Sequence, residues 1–156
     1  HEVTHSQPST DLSDSVHYQL WIETSERMFF METIYTKTAP DAIGPYSQAI
    51  KVGNTLYSSG QIAINPAEGK VEATDIEGQY RQVMQNLAEV LKAAGASFDN
   101  VVKTTCFLKD VAKDFAAFNE IYAEAMGDNK PARSCVGVAE LPKGVLVEVE
   151  VIAVVE

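Results

Sequence analysis

Arg133 and Cys135 stand two residues apart at the start of an apolar stretch, and Glu148 and Glu150 stand two apart inside a valine-rich one. A guanidinium is planar and permanently charged, and it grips a carboxylate through two parallel hydrogen bonds. Taken by type and place alone, Arg133 suggests a small-anion site, and charges on strands this apolar suggest a cleft between subunits. A plainer reading competes, in which an Arg and a Glu on facing strands form a cross-strand ion pair. Cys135 reads as a small packed residue rather than a nucleophile, because no histidine is at hand to activate it. The histidines are His1, His5 and His17, so the body of the chain can build neither a His-based metal site nor a Ser-His-Asp triad.

Periodicity places these residues on elements. Tyr80, Val83, Met84, Leu87, Val90, Leu91 and Ala94 recur at spacings of three and four, which predicts a helix capped by Thr74 or Asp75 and closed by Gly95. Phe115, Phe118, Ile121, Tyr122 and Met126 predict a second, capped by Asp114 and ended by Gly127; Asn119 falls at the edge of its stripe. Gly53-Asn54 between "SQAIKV" and "TLYSSGQIAI" is a two-residue hairpin signal. The order reads ββαβαββ, an α+β fold with two helices on one face of a mixed sheet. Strand side chains alternate. Val145, Val147, Val149, Val151 and Ala153 should therefore face the helices, and Leu146, Glu148, Glu150 and Ile152 the other side. The same parity puts Val102 with Thr104, Cys106 and Leu108 on the helix side, and sends Lys103 and Phe107, with Arg133 expected beside them, to the mixed face. Phe107 and Leu146 on a face without helices favour burial against another subunit.

The chain has 156 residues, 46% of them apolar, and suits one domain. A net charge of −10 repels phosphate backbones and argues against a nucleic-acid partner. Two cysteines, Cys106 and Cys135, make no disulfide framework and fit a reducing, cytoplasmic setting. No run of 18 apolar residues marks a membrane span. Residues 1–30 read as a leader or an appended extension, polar at first, with Met28 or Met31 placed as a natural start. Within it "VHYQLWIE" alternates and is expected to dock as an extra strand.

Several separated motifs then occur in order: "IGPYSQAI", "LYSSGQIAINPAEGKV", "NLAEVLKAAGASFDNVVKTTCFLKD", "FAAFNEIYAEAM" and "KPARSCVGVAELPKGVLVEVEVIAVV". Together, over residues 31–156, they resemble the Rid family, also called YjgF, and within it the reactive intermediate deaminase A branch. The resemblance implies a chorismate-mutase-like α+β fold, a homotrimer with clefts between subunits, and no cofactor or metal. It implies hydrolysis of 2-enamine and 2-imine acids, such as 2-aminoacrylate and 2-aminocrotonate, to 2-keto acids and ammonia. By the same resemblance, Arg133 binds the substrate carboxylate and Glu148 orients or activates water. Tyr46, Ser59, Gly60, Gln61, Asn119 and Cys135 line the ligand. The residues 1–30 are where the chain departs, since the family usually begins near "TIYT". Alternatives from other classes are a non-catalytic keto-acid binder or chaperone-like module, and an endoribonuclease, which the acidic balance disfavours.

Overall fold

The computed structural model describes residues 15–24 and 27–156, with side chains from residue 30 onward. The strands in chain order are β1 (Ser15–Thr24), β2 (Arg27–Thr36), β3 (Ala49–Val52), β4 (Thr55–Ser58), β5 (Ile64–Asn65), β6 (Lys70–Val71), β7 (Val101–Leu108), β8 (Ala132–Gly137) and β9 (Val147–Val154). Helix α1 spans Ile76–Ala93 and α2 spans Val111–Met126. Seven strands form one sheet in the order β1-β2-β3-β4-β9-β7-β8, while β5 and β6 pair as a small separate hairpin. Only β7–β8 is parallel among the sheet's pairings. The fold is α+β with a mixed sheet, as the periodicities predict.

The alternating stretch near the N-terminus is strand β1, running antiparallel to β2 from Ser15↔Thr36 to Thr24↔Arg27. Residues 1–14 of the predicted leader lie outside the described residues. Strand β3 pairs with only the middle of β2, from Met31↔Val52 to Ile34↔Ala49. Gly53, with φ +59°, turns the chain from β3 into β4, a conformation that glycine adopts without steric cost.

Each helix starts where a carboxylate can accept from its open first turn. Asp75 accepts from the Gly78 N–H at 3.0 Å. For α2 the cap is Asp110, which accepts from the Lys113 N–H at 3.1 Å, and not Asp114 as expected. Asp114 lies one turn inside, its own N–H already bonded to the Asp110 carbonyl. Both positions offer an acidic residue at a helix start, and the apolar stripe does not distinguish them, because Val111 extends it by another turn.

The core lies between the helices and one sheet face. Tyr80, Val83, Leu87, Val90 and Leu91 of α1 and Phe118 and Ile121 of α2 are buried against Val147, Val149, Val151 and Ala153 of β9. Leu146, Glu148, Glu150 and Ile152 face the other way and are half-buried. Parity fails at one point. The β7–β9 register slips between Val101 and Lys103. This bulge turns Val102 out to 46% exposure instead of packing it beside Thr104.

Candidate functional site

Strand register decides which side chains meet. In the parallel β7–β8 pair Thr104 stands opposite Arg133, and Cys106 opposite Cys135. Thr104 and Cys106 are fully buried on the helix side. Arg133 therefore lies on the helix-covered face, not on the mixed face with Lys103 and Glu148. Alternation along β8 separates two sets of residues; only the pairing with β7 says which set meets the helices. Glu148 pairs with Phe107 on the opposite face, and strand β7 lies between β8 and β9. Two strand spacings, roughly 10 Å, and the thickness of the sheet part the two charges. They do not form a cross-strand ion pair within one chain.

The Arg133 side is a cationic site built on aromatic rings. Its guanidinium carbon lies 4.7 Å from the Tyr122 ring centre and 5.8 Å from those of Phe115 and Phe118. Arg133 Nη1 donates to Asn119 Oδ1 at 2.7 Å, so the asparagine at the stripe's edge holds one corner of the fork. Arg133, Asn119 and Tyr122 border an open cavity of about 420 Å³ with Met126, Lys130 and Pro131. Behind Arg133, the Tyr122 hydroxyl shares a 2.9 Å hydrogen bond with Thr104 Oγ1. Tyr80 packs against Phe118 with ring centres 4.6 Å apart. Its hydroxyl, fully buried, has no hydrogen-bond partner among the described residues. Cys135 is half-buried; burial pushes its thiol's pKa up, against the pull of Arg133. Burial drives the Cys106 thiol further, to about 12. Neither cysteine is a ready thiolate.

The Glu148 side gathers a different set. Gly60 lies directly against the Glu148 side chain. Gln61, buried, bridges to the next residue of β9: its N–H donates to the Val149 carbonyl at 2.8 Å, and Val149 N–H donates back at 3.2 Å. Ser59 donates its hydroxyl to the Ser47 carbonyl at 2.5 Å and its N–H to the Gln48 carbonyl at 2.9 Å. Tyr46 is 49% exposed, so it does not plug the core; its hydroxyl accepts from the Ile43 N–H at 3.3 Å. Tyr46, Gly60 and Gln61 line one small cavity of about 30 Å³ with Ile43 and Ile62. Burial, with the neighbouring Glu150, raises the Glu148 carboxyl above its ordinary 4.5.

The structure thus brings Arg133, Asn119 and Cys135 together, and separately Tyr46, Ser59, Gly60, Gln61 and Glu148. Sequence reasoning overlooked Gln48. Its buried side-chain amide accepts from the Thr36 N–H at 2.7 Å and donates to the Thr36 and Pro40 carbonyls at 3.0 and 2.8 Å. That clamp fixes the base of the loop carrying Tyr46. A glutamine on the apolar side of "SQAIKV" was the available signal. Among the described residues no helix is long and apolar enough to cross a membrane, and no group of three or more His, Cys, Asp or Glu is placed to hold a metal.

The model of the family described as Endoribonuclease L-PSP matches residues 36–155. The chain belongs to that family, the Rid family. A RutC family protein of Pyrococcus horikoshii is 53% identical over 122 residues, 78% of this chain and 96% of its own length. The human 2-iminobutanoate/2-iminopropanoate deaminase is 47% identical over 121 residues, 78% of this chain and 88% of that protein. A solved Rid family structure, YyfA of Yersinia pestis, superposes with a TM-score of 0.77 at 52% identity, covering 80% of this chain and 99% of the other. Kinship to named imine deaminases supports enamine or imine deaminase activity for this Rid protein.

Proposed function

We propose that this Rid protein is a homotrimer that hydrolyses small 2-enamine and 2-imine acids, such as 2-aminoacrylate and 2-aminocrotonate, at sites shared by neighbouring copies. The observation that carries this reading is Arg133, seated on a tyrosine ring with one corner bonded to Asn119. Its remaining donors suit the two oxygens of a substrate carboxylate. The human relative's name supplies the substrate class.

The chemistry asks little more. The enamine tautomerises to an imine, and protonation of the nitrogen makes its carbon electrophilic. Water from the neighbouring copy's Glu148 side adds to that carbon as Glu148 takes its proton. Glu148 then returns that proton to the carbinolamine nitrogen, the C–N bond breaks as the C=O bond forms, and the hydroxyl proton passes through the freed Glu148 carboxylate to the released ammonia. A carboxyl with a raised pKa is suited to both halves of that transfer. The substrate is already reactive, so a proton shuttle contributing roughly 10²–10⁴-fold is adequate. Since Arg133 and Glu148 lie on opposite faces of one sheet, a complete site needs two copies. The face bearing Glu148 also carries Phe107, Leu146, Tyr57 and Val136, the last two 48% and 45% exposed, which supports burial against another copy. Free thiols at Cys106 and Cys135 suit a reducing, cytoplasmic setting.

The test generates 2-aminocrotonate with a threonine dehydratase and follows ammonia release above the spontaneous rate. Titration with 2-ketobutyrate runs beside it. Arg133→Ala should weaken keto-acid binding by roughly 1.5–3 kcal/mol and turnover with it. Glu148→Gln should lower turnover and spare binding. A second reading, a keto-acid binder without turnover, is favoured by the completeness of the Arg133 side in a single chain. It predicts binding with no acceleration. A parent protein that does neither overturns both.

A further inference from the structure

Thr104 occupies the position on β7 directly opposite Arg133 on β8. Its hydroxyl, fully buried, shares a 2.9 Å hydrogen bond with the hydroxyl of Tyr122. The ring of Tyr122 lies nearest the guanidinium of Arg133, at 4.7 Å. The three residues therefore close a triangle. The strand pairing sets Thr104 beside Arg133, Thr104 pins the ring from behind, and the ring supports the guanidinium from below. Asn119, one helical turn before Tyr122's neighbour Ala123, fixes one corner through the 2.7 Å bond to Nη1. Face and corner held together leave a planar fork with few orientations.

We propose that Thr104 and Tyr122 are positioning residues for anion capture, which set the plane in which Arg133 meets a carboxylate. This deepens the deaminase reading and rests on it for the identity of the ligand. A flexible guanidinium loses orientational freedom when it grips two oxygens, and a fork already fixed loses less. Exposed cation–π contacts are worth about 0.5–1 kcal/mol and desolvated ones about 2. The contact exists before the ligand arrives, so only its share in orienting the fork counts, and removing it should weaken carboxylate binding by about twofold to at most thirtyfold. The Thr104–Tyr122 bond acts one step further back. Breaking it from either end should cost less, and the two ends should give the same loss.

The experiment uses the full chain with 2-ketobutyrate as probe. Tyr122→Leu removes the ring; Tyr122→Phe removes only the bond between hydroxyls, and Thr104→Val removes it together with the weak 3.9 Å bond that Thr104 Oγ1 accepts from the Cys106 thiol. Tyr122→Leu is expected to raise the Kd for 2-ketobutyrate, and the KM for the imine, with little change in kcat. The two milder variants are expected to give equal, smaller losses that do not add when combined. In an Arg133→Ala background, Tyr122→Leu should cost nothing further, because its effect passes through Arg133. A variant that melts earlier yet binds 2-ketobutyrate like the parent would reduce Tyr122 to a packing residue and overturn the proposal. So would additive losses with Arg133→Ala. The Arg133 Nε–H resonance gives a readout independent of the ligand: it should shift in Tyr122→Phe and Thr104→Val, which keep the ring and loosen only its anchor. An unmoved resonance overturns the positioning role. If the parent binds no 2-keto acid, the deaminase reading fails, and the resonance still decides the positioning role.

Discussion

Gly60→Ala perturbs the side of the sheet proposed to handle the proton, around Glu148. A Cβ at residue 60 would stand 2.8 Å from Glu148 Cδ and 3.0 Å from its Cγ, and closer still to Oε1. Ordinary contact begins at 3.4 Å, so the carboxyl carbon must withdraw by about 0.6 Å and the carboxylate oxygen further. The obstacle is the far end of a flexible side chain, and Gly60 does not adopt a positive φ. The fold can therefore absorb the methyl by rotating Glu148, with a stability change of about 1 kcal/mol or less. Catalysis is less forgiving, since misplacement of a reacting group by about 1 Å can cost 10²-fold. Gly60→Ala should reduce imine turnover by roughly that factor. The Kd for 2-ketobutyrate should rise far less than turnover falls, because the proposed grip on the carboxylate comes from Arg133 of the neighbouring copy. Ammonia release from enzymatically generated 2-aminocrotonate and calorimetric titration measure the two quantities. Parental turnover in Gly60→Ala would refute the assignment of proton transfer to Glu148 at this position. Keto-acid binding lost in step with turnover would refute the division of labour between Arg133 and Glu148.

Glu148 also predicts a pH dependence. Its folded pKa is raised, so the folded chain holds the proton more tightly than the unfolded chain, and stability falls as pH rises from about the ordinary 4.5 through the raised value. Glu148→Gln should accordingly raise the melting temperature at neutral pH and give no such gain in acid, below both values; an equal gain at every pH would point to packing instead. Turnover by the parent should decline as the pH drops through that raised value, since the base must be ionised. Asp110→Ala should cost about 1 kcal/mol of stability in denaturant melts through loss of the α2 cap. Cys135→Ser should retain substantial turnover; complete inactivation with an unchanged melt would bring back covalent catalysis. Removing residues 1–30 should leave assembly and turnover intact, checked by light scattering and the ammonia assay, because among the described residues β1 pairs with β2 alone and none of the candidate residues precedes Tyr46.

Much of the fold was legible because burial repeats. The 3.6-residue stripe of α1 and the strict alternation of β9 name their own inward faces, and both are buried as read. Three features were not legible, each because it depends on a partner element. The bulge at Val102 exists only relative to β9. The α2 cap turns on which of two aspartates reaches an open N–H. The face taken by Arg133 is set by its pairing with Thr104, and "ARSCVG" alternates equally well either way up. The candidate residues themselves were visible as types in motifs. Their division between two faces was not, since a chain order says nothing about a sheet's thickness. Tyr122 read simply as core, and its second contact, with the guanidinium, depends on how α2 lies over β7 and β8.

That division has a genetic consequence. If each complete site takes Arg133 from one copy and Glu148 from the next, two inactive alleles carry complementary lesions. An Arg133→Ala chain still offers its Glu148 side, and a Glu148→Gln chain still offers its Arg133 side. In a ring assembled at random from equal amounts of both, about one contact in four joins two sound sides. Co-expression would thus restore about a quarter of the parental turnover from two alleles that are each dead alone. A chain carrying both lesions would restore nothing to the parent, and would silence two of the three sites in any ring it entered.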